Sequence, residues 1–326
     1  RLFEFGRCVV HFAVDDCEVR MCTELKGKGS WFLPFNKGHN DGAGNPPNKH
    51  GLKTDYLWKE VLTPAGLTDI LENYAQIVEE KDPRTGRKKR RQVWPRYHQL
   101  GVVRQALDKV RTHGAGIRYL IQHSAGSGKS NSIAWLAHQL IGLKNNDKEV
   151  FDSIIVVTDR RLLDDQIQRT IKQFMQVSAT VGHAERSGDL RKFIEEGKKI
   201  IVSTVQKFPF ILDEIEHESG KAFAIVIDEA HSSQGGKTST AMSKALGDAT
   251  EGKEEEADPE NTVNDALEKR MAARKMLTNA SYFAFTATPK NKTLEMFGDP
   301  LQTDAEGKVK HRPFHCYTMK QAVEER

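Results

Sequence analysis

The chain has 326 residues, with 49 Lys and Arg against 45 Asp and Glu and a formal net charge of +4. That length allows about two domains, and 38% hydrophobic with 29% charged residues is an ordinary globular balance. Nothing in it approaches the ~20-residue apolar run of a membrane helix, no secretory signal is expected, and so mild a charge does not by itself mark a nucleic-acid binder.

The first residue is Arg1 rather than Met, and the residues that follow are already strand-like, so the chain is expected to be a piece of a longer protein. Cys8–Val14 and Glu18–Met21, joined at Asp15-Asp16, predict a hairpin. Trp31–Phe35 is a further strand or an apolar anchor, and residues 38–53, rich in Gly, Asn and Pro, are a loop. A helix is expected from Tyr56, with Leu57, Val61 and Leu62 at helical spacing. Residues 74–80 and 87–94 predict two strands around Asp82-Pro83-Arg84-Thr85-Gly86. The block Lys88-Lys89-Arg90-Arg91 then sits on an exposed hairpin, as a phosphate contact or as a solvated arm. Cys8, Cys17, Cys22 and Cys316 form no CxxC pair and are expected to be reduced thiols. A zinc site from Cys8, His11, Cys17 and Cys22 lacks the spacing of a finger.

After Pro95 the pattern changes. Strand-length apolar runs at 117–122, 153–158, 199–203, 222–227 and 282–286 alternate with helical stretches at 129–141, 162–174 and 263–277. Apolar strands without alternation, separated by helices, predict an α/β fold with a parallel sheet covered on both faces. The polar, acidic stretch 235–261 is expected to be an insertion.

Three motifs follow three of these strands. His123-Ser124-Ala125-Gly126-Ser127-Gly128-Lys129-Ser130 lies between a strand and a helix, the setting of a phosphate-binding loop, although His123 stands where the simple pattern has Gly. Its backbone N–H groups and the helix start suit a β-phosphate, Lys129 the β- and γ-phosphates, and the Ser130 hydroxyl Mg²⁺. Asp228-Glu229-Ala230-His231 follows the strand ending at Ile227. A carboxylate there sits at the ligand-binding rim of a parallel sheet. Asp228 suits Mg²⁺ held through water, Glu229 the attacking water, and His231 the relay of nucleotide state. Thr286 and Thr288, in Thr286-Ala287-Thr288-Pro289, suit coupling of that state to a moving surface, or simply cap a strand end.

The order of these motifs is similar to that of superfamily 2 helicases and translocases. In that superfamily a Gln upstream of the loop reads adenine, which here is Gln99, with Arg96 or Tyr97 nearby, unless Gln99 is a surface residue at a helix start. Thr158-Asp159-Arg160-Arg161 and Ser203-Thr204-Val205-Gln206-Lys207-Phe208 resemble the backbone-contacting motifs. Arg160, Arg161, Thr204, Gln206 and Lys207 are therefore candidate DNA contacts. Arg160 and Arg161 have an alternative in pairing with Asp164 and Asp165.

The segments Phe32–Gly38, Pro95–Gln99, Leu120–His138, Thr158–Gln166, Ser203–Phe210 and Ile227–Gln234 resemble the restriction subunit of type I restriction-modification enzymes, over nearly the whole chain. The resemblance implies a RecA-like motor that uses ATP and Mg²⁺ to pull duplex DNA before cleavage, working with modification and specificity subunits in a prokaryotic cytoplasm. It implies the end of a nuclease domain at 1–50, a linker with a helix and the basic hairpin at 51–95, the RecA-like domain at 96–290, and a lead-in to a second motor domain at 291–326. The nuclease residues are expected upstream, which makes Glu24-Leu25-Lys26 a chance match to a nuclease Glu-x-Lys. Without a second motor domain the chain is expected to bind nucleotide and hydrolyse it poorly. A superfamily 2 enzyme acting on RNA, or a P-loop scaffold that uses ATP structurally, remains open on the residues alone.

Overall fold

The computed structural model describes residues 3–81, 85–158, 171, 181–184, 187–204, 208–218, 220–228, 277–303 and 309–325. The predicted hairpin forms as β1 (His11–Val14) and β2 (Val19–Cys22), antiparallel, with β3 (Leu33–Pro34) added beside β2. A single π-helical turn, Leu57–Val61, leads into α1 (Pro64–Asn73), whose first turn is capped by the Thr63 hydroxyl accepting from the Gly66 amide at 3.1 Å. The basic hairpin is β4 (Gln76–Lys81) paired with β5 (Lys88–Val93), and Lys88 to Arg91 are exposed on it. Next comes α2 (Tyr97–His113), a helix that the sequence reading did not pick out.

The chain then builds its largest sheet. β6 (Arg118–His123) is followed by α3 (Lys129–Leu140), a small hairpin of β7 (Lys144–Asn145) and β8 (Lys148–Glu149), and β9 (Ser153–Thr158). β10 (Val181–His183), α4 (Ser187–Glu195), β11 (Ile200–Thr204), α5 (Phe208–His217) and β12 (Phe223–Ile227) follow. β13 (Ala280–Thr286), α6 (Asn291–Phe297), the hairpin β14 (Asp299–Thr303) and β15 (Val309–Arg312), β16 (His315–Tyr317) and α7 (Met319–Glu324) complete it. The helices expected at 162–174 and 263–277 and the insertion at 235–261 lie essentially outside the described residues.

Seven strands make one parallel sheet in the order β10-β11-β9-β12-β13-β6-β16. This is the α/β fold with a parallel sheet that the apolar strands predict, and it fits the RecA-like arrangement that the resemblance implies. The reason is visible in alternate residues. Ile121, Ile154, Val156, Val202, Val226, Phe283 and Phe285 enter one core with the inner faces of α2 and α3. Leu120, Ile155, Val157, Ile201, Ile225, Tyr282 and Ala284 enter a second core with Leu190 and Ile194 of α4 and Ile211 and Ile215 of α5. A strand buried on both faces has no position for a polar residue, so the alternation disappears from the sequence.

The first core runs without a break from Val19, Met21 and Phe35 through Tyr56 and Trp94 to the seven-stranded sheet. Gln92 ties the layers polar side to polar side: its Nε2 donates to the carbonyls of Cys8 (2.9 Å) and Thr23 (2.7 Å), and its Oε1 accepts from the Gly6 amide (2.8 Å). The sheet continues past 290: β16 pairs with β6 at one edge of it. None of the four cysteines is paired. Among the described residues no cluster of three or more metal-ligating side chains occurs, and Lys26 simply pairs with Glu24 at 2.8 Å on the surface. No described helix is long and apolar enough to cross a membrane.

Candidate nucleotide site

β6 ends at His123 and the chain turns through residues 124–128 into α3. Gly126 and Gly128 have φ of 76° and 81°, the left-handed region that glycine enters without a Cβ penalty. A Cβ on Gly126 would meet nothing within 4 Å, so the loop opens on free space. A Cβ on Gly128 would come within 2.5 Å of Gln99 Nε2. Ser124 and Ser127 are buried, and their hydroxyls have no hydrogen-bond partner among the described residues. Ala125, Gly126 and Gly128 are exposed and Lys129 and Ser130 half-buried. The Lys129 ammonium donates to the His123 carbonyl across the loop at 3.4 Å. Glycines in this conformation, two orphaned buried hydroxyls, a lysine across the opening and the start of a 12-residue helix fit a phosphate chain.

β12 reaches the same edge of the sheet. Asp228 stands one residue beyond it, 6% exposed, its amide donating to the Val157 carbonyl at 2.8 Å. β13 alone separates β12 from β6, so the strands carrying Asp228 and the loop are roughly 10 Å apart at the usual inter-strand spacing. Ile227 is level with Ala284, and Thr286, fully buried, closes β13 opposite Gln122. Thr288, past the strand, is exposed. A hydroxyl and a carboxylate at this rim are the donor types that Mg²⁺ takes alongside phosphate oxygens, so Ser130 and Asp228 fit that ion. Glu229 and His231, and likewise Arg160, Arg161, Gln206 and Lys207, lie outside the described residues.

Two of the expected site residues are buried. Gln99 was expected to read adenine, but it is 3% exposed and both ends of its amide are engaged. Its Nε2 donates to the carbonyls of Gly128 (2.9 Å) and Ser127 (3.3 Å), and its Oε1 accepts from the Arg96 amide at 2.9 Å. Gln99 braces the loop. Gln99→Ala is therefore expected to weaken binding of inorganic tripolyphosphate and of ATP by similar factors, measured by calorimetry, whereas a loss confined to ATP would restore the base-reading role. Thr204, expected to touch DNA, is 9% exposed and level with the fully buried Thr158 at the end of β9.

Sequence reasoning missed the layer under the loop. His98, buried, donates from Nε2 to the Ser127 carbonyl at 3.0 Å and stacks on Tyr317 with centroids 3.8 Å apart. His123 Nε2 lies 2.9 Å from His315 Nδ1, and His123 Nδ1 has no partner among the described residues. A buried lone pair is cheaper to leave unmatched than a buried N–H, which puts the proton on His123 Nε2. Burial holds His98 and His123 well below the ordinary imidazole range, helped by the Arg96 cation at His98 and by His98 at His123. Burial also pushes His315 down to about 4. All three are neutral donors and acceptors at neutral pH. Arg96 closes the layer: its guanidinium pairs with Glu325 at 3.1 Å and donates to the Tyr317 hydroxyl at 2.6 Å, while that hydroxyl donates to Glu325 at 2.7 Å. The Ser124 amide donates to the Tyr317 carbonyl at 2.9 Å, which links β16 to the loop directly. Two histidines upstream of a glycine-rich loop were the available signal; their partners at 315–325 had none.

The SWI2/SNF2 ATPase family model matches residues 98–251. Two proteins of Methanocaldococcus jannaschii, named as the MjaVIIIP and MjaIXP endonuclease subunits of type I restriction enzymes, are 28% identical over 224 residues and 26% identical over 194. The matches take in 62% and 55% of this chain, and the chain spans only 21% and 14% of those proteins. A solved fragment named as an HsdR subunit of a type I restriction enzyme from Vibrio vulnificus YJ016 aligns with 94% of this chain and 41% of its own, at 15% identity and a TM-score of 0.41.

Proposed function

We propose that this chain, an ATPase motor segment related to the endonuclease subunits of type I restriction enzymes, hydrolyses ATP to draw duplex DNA past a complex that later cuts it. The observation that carries the reading is the shared sheet edge, with the phosphate loop on one side of β13 and Asp228 on the other. In this reading the loop from Ser124 to Ser130 holds the phosphates, and Lys129 neutralises charge that builds on the γ-phosphate oxygens as water attacks in line. Ser130 and Asp228 would hold Mg²⁺, which would supply charge neutralisation to the phosphates. Glu229 orients the water, and His231 with Thr286 and Thr288 passes the change of state to the DNA side. Arg160, Arg161, Gln206 and Lys207 contact the DNA backbone without reading sequence, as a motor that moves along any sequence requires.

The small share of its relatives that the chain spans supports a place in a longer subunit, working in the cytoplasm with modification and specificity subunits. The substrate is tested by ATP turnover of that subunit with duplex DNA and with RNA. Stimulation by duplex DNA, lost in Glu229→Gln with nucleotide binding kept, is the expected result. Stimulation by RNA alone would remove the restriction reading, and unchanged turnover in Glu229→Gln would remove the catalytic one.

A further inference from the structure

The basic hairpin takes no part in the nucleotide site. Residues 76–93 hold seven Lys and Arg against three Asp and Glu, a balance of +4 that equals the net charge of the whole chain, so the rest of the sequence is neutral. Arg87 to Arg91 are exposed without interruption. Alternation along β5 puts Lys88 and Arg90 on one face of the ribbon and Lys89 and Arg91 on the other. Lys88 meets Glu79 at 3.0 Å with both side chains more than half exposed, and an ion pair in that setting adds little and opens readily.

The ordinary reason for such residues is a solvated arm, or a guard that keeps open strand edges from pairing with another sheet. Two observations go further. Adjacent cations repel each other and lysine suits a strand poorly, so an unbroken run from 87 to 91 exceeds what an edge guard needs. The root of the ribbon is also fixed: Val78 and Val93 are buried, and Gln92 is tied to Gly6, Cys8 and Thr23. The charge is carried on a held arm. No aromatic residue occurs in 76–93, so the ribbon offers unpaired bases nothing to stack on. Cations on both faces suit a groove walled on each side by phosphates, and the major groove of duplex DNA admits a two-stranded ribbon. We propose that the β4–β5 hairpin is a contact with duplex DNA, gripping phosphates through Lys88, Lys89, Arg90 and Arg91 without reading sequence. The inference rests on the duplex-DNA reading and adds to it a grip in the N-terminal layer, away from the strand ends of the large sheet.

The test is fluorescence anisotropy of the whole chain, free of nucleotide, with two labelled duplexes of unrelated sequence between about 50 and 200 mM salt. Lys88→Gln combined with Lys89→Gln is expected to weaken both duplexes roughly 10-fold or more and to lower the slope of log affinity against log salt by about 2. Lys144→Gln combined with Lys148→Gln removes two exposed lysines from the β7–β8 hairpin and is expected to change neither quantity. Thermal unfolding and ATP binding should be the same in all three proteins. Equal losses in the two double variants, or an unchanged salt slope in the first, would overturn the hairpin contact while leaving DNA binding in place. Equal weakening on an RNA duplex, whose major groove is deep and narrow, would overturn the assignment to DNA. An unaltered chain that binds no DNA duplex even at low salt would overturn the duplex-DNA reading together with the contact.

Discussion

Lys129→Ala is expected to weaken Mg·ATP binding by on the order of 100-fold and to abolish turnover, the scale seen when one preorganised charge or donor is taken from a site. The position explains the size. Lys129 is the first residue of α3, half-buried, and its ammonium already lies across the loop against the His123 carbonyl. A triphosphate would exchange that carbonyl for phosphate oxygens at little cost in side-chain ordering. The fold should be indifferent, because Ala suits a helix start and Lys129 contributes nothing to either apolar core. Equilibrium binding of ATP and thermal unfolding, measured on the same sample, separate the two effects. A variant that still bound ATP within a few-fold would show that the loop is a structural turn.

The second large effect is expected at Arg96. Its partner Glu325 is only 3% exposed on its side chain, and Arg96 only 16%. A pair this buried contributes little net stability against an apolar substitute, but removing one member leaves a charge in a poor environment, at about 3–5 kcal/mol. Glu325 would keep the Tyr317 hydroxyl and the Gln321 amide (3.0 Å) as donors but lose its cation. Arg96→Met should therefore destabilise strongly, and Arg96→Met combined with Glu325→Gln should regain much of the loss. Urea unfolding of the two single variants and the double variant measures the coupling. Additive losses would mean that the two side chains do not act as a unit. The consequence reaches the site, because Tyr317 carries both the Ser124 amide and the His98 stack.

The parts legible in the sequence are those with local causes. Continuous apolar runs announced β6, β9, β11, β12 and β13, since burial on both faces removes polar residues from a strand. The loop announced itself because glycine is needed where φ is positive and lysine where phosphate charge gathers. α2 was passed over although Val102, Ala106 and Val110 share one face, because Gly101 and the polar Arg104, Gln105 and Asp108 interrupt the pattern. β16 was invisible for a different reason. A three-residue strand, His315–Tyr317, has no periodicity, and what fixes it is pairing with β6 almost two hundred residues earlier in the chain. Gln99 is located by its distance from the loop, but its hydrogen-bond partners are not legible there. Its neighbours, the Ser127 and Gly128 carbonyls, are set by the left-handed turn at Gly128, which no residue identity near 99 reveals.

A structure of the chain crystallised with Mg²⁺ and a non-hydrolysable ATP analogue tests the central claim most directly. The account predicts the β-phosphate inside the turn from Gly126 to Ser130 and the metal between the Ser130 hydroxyl and Asp228, on the rim that β6, β13 and β12 share. A nucleotide bound at any other surface, with the turn and Asp228 both untouched, would contradict it.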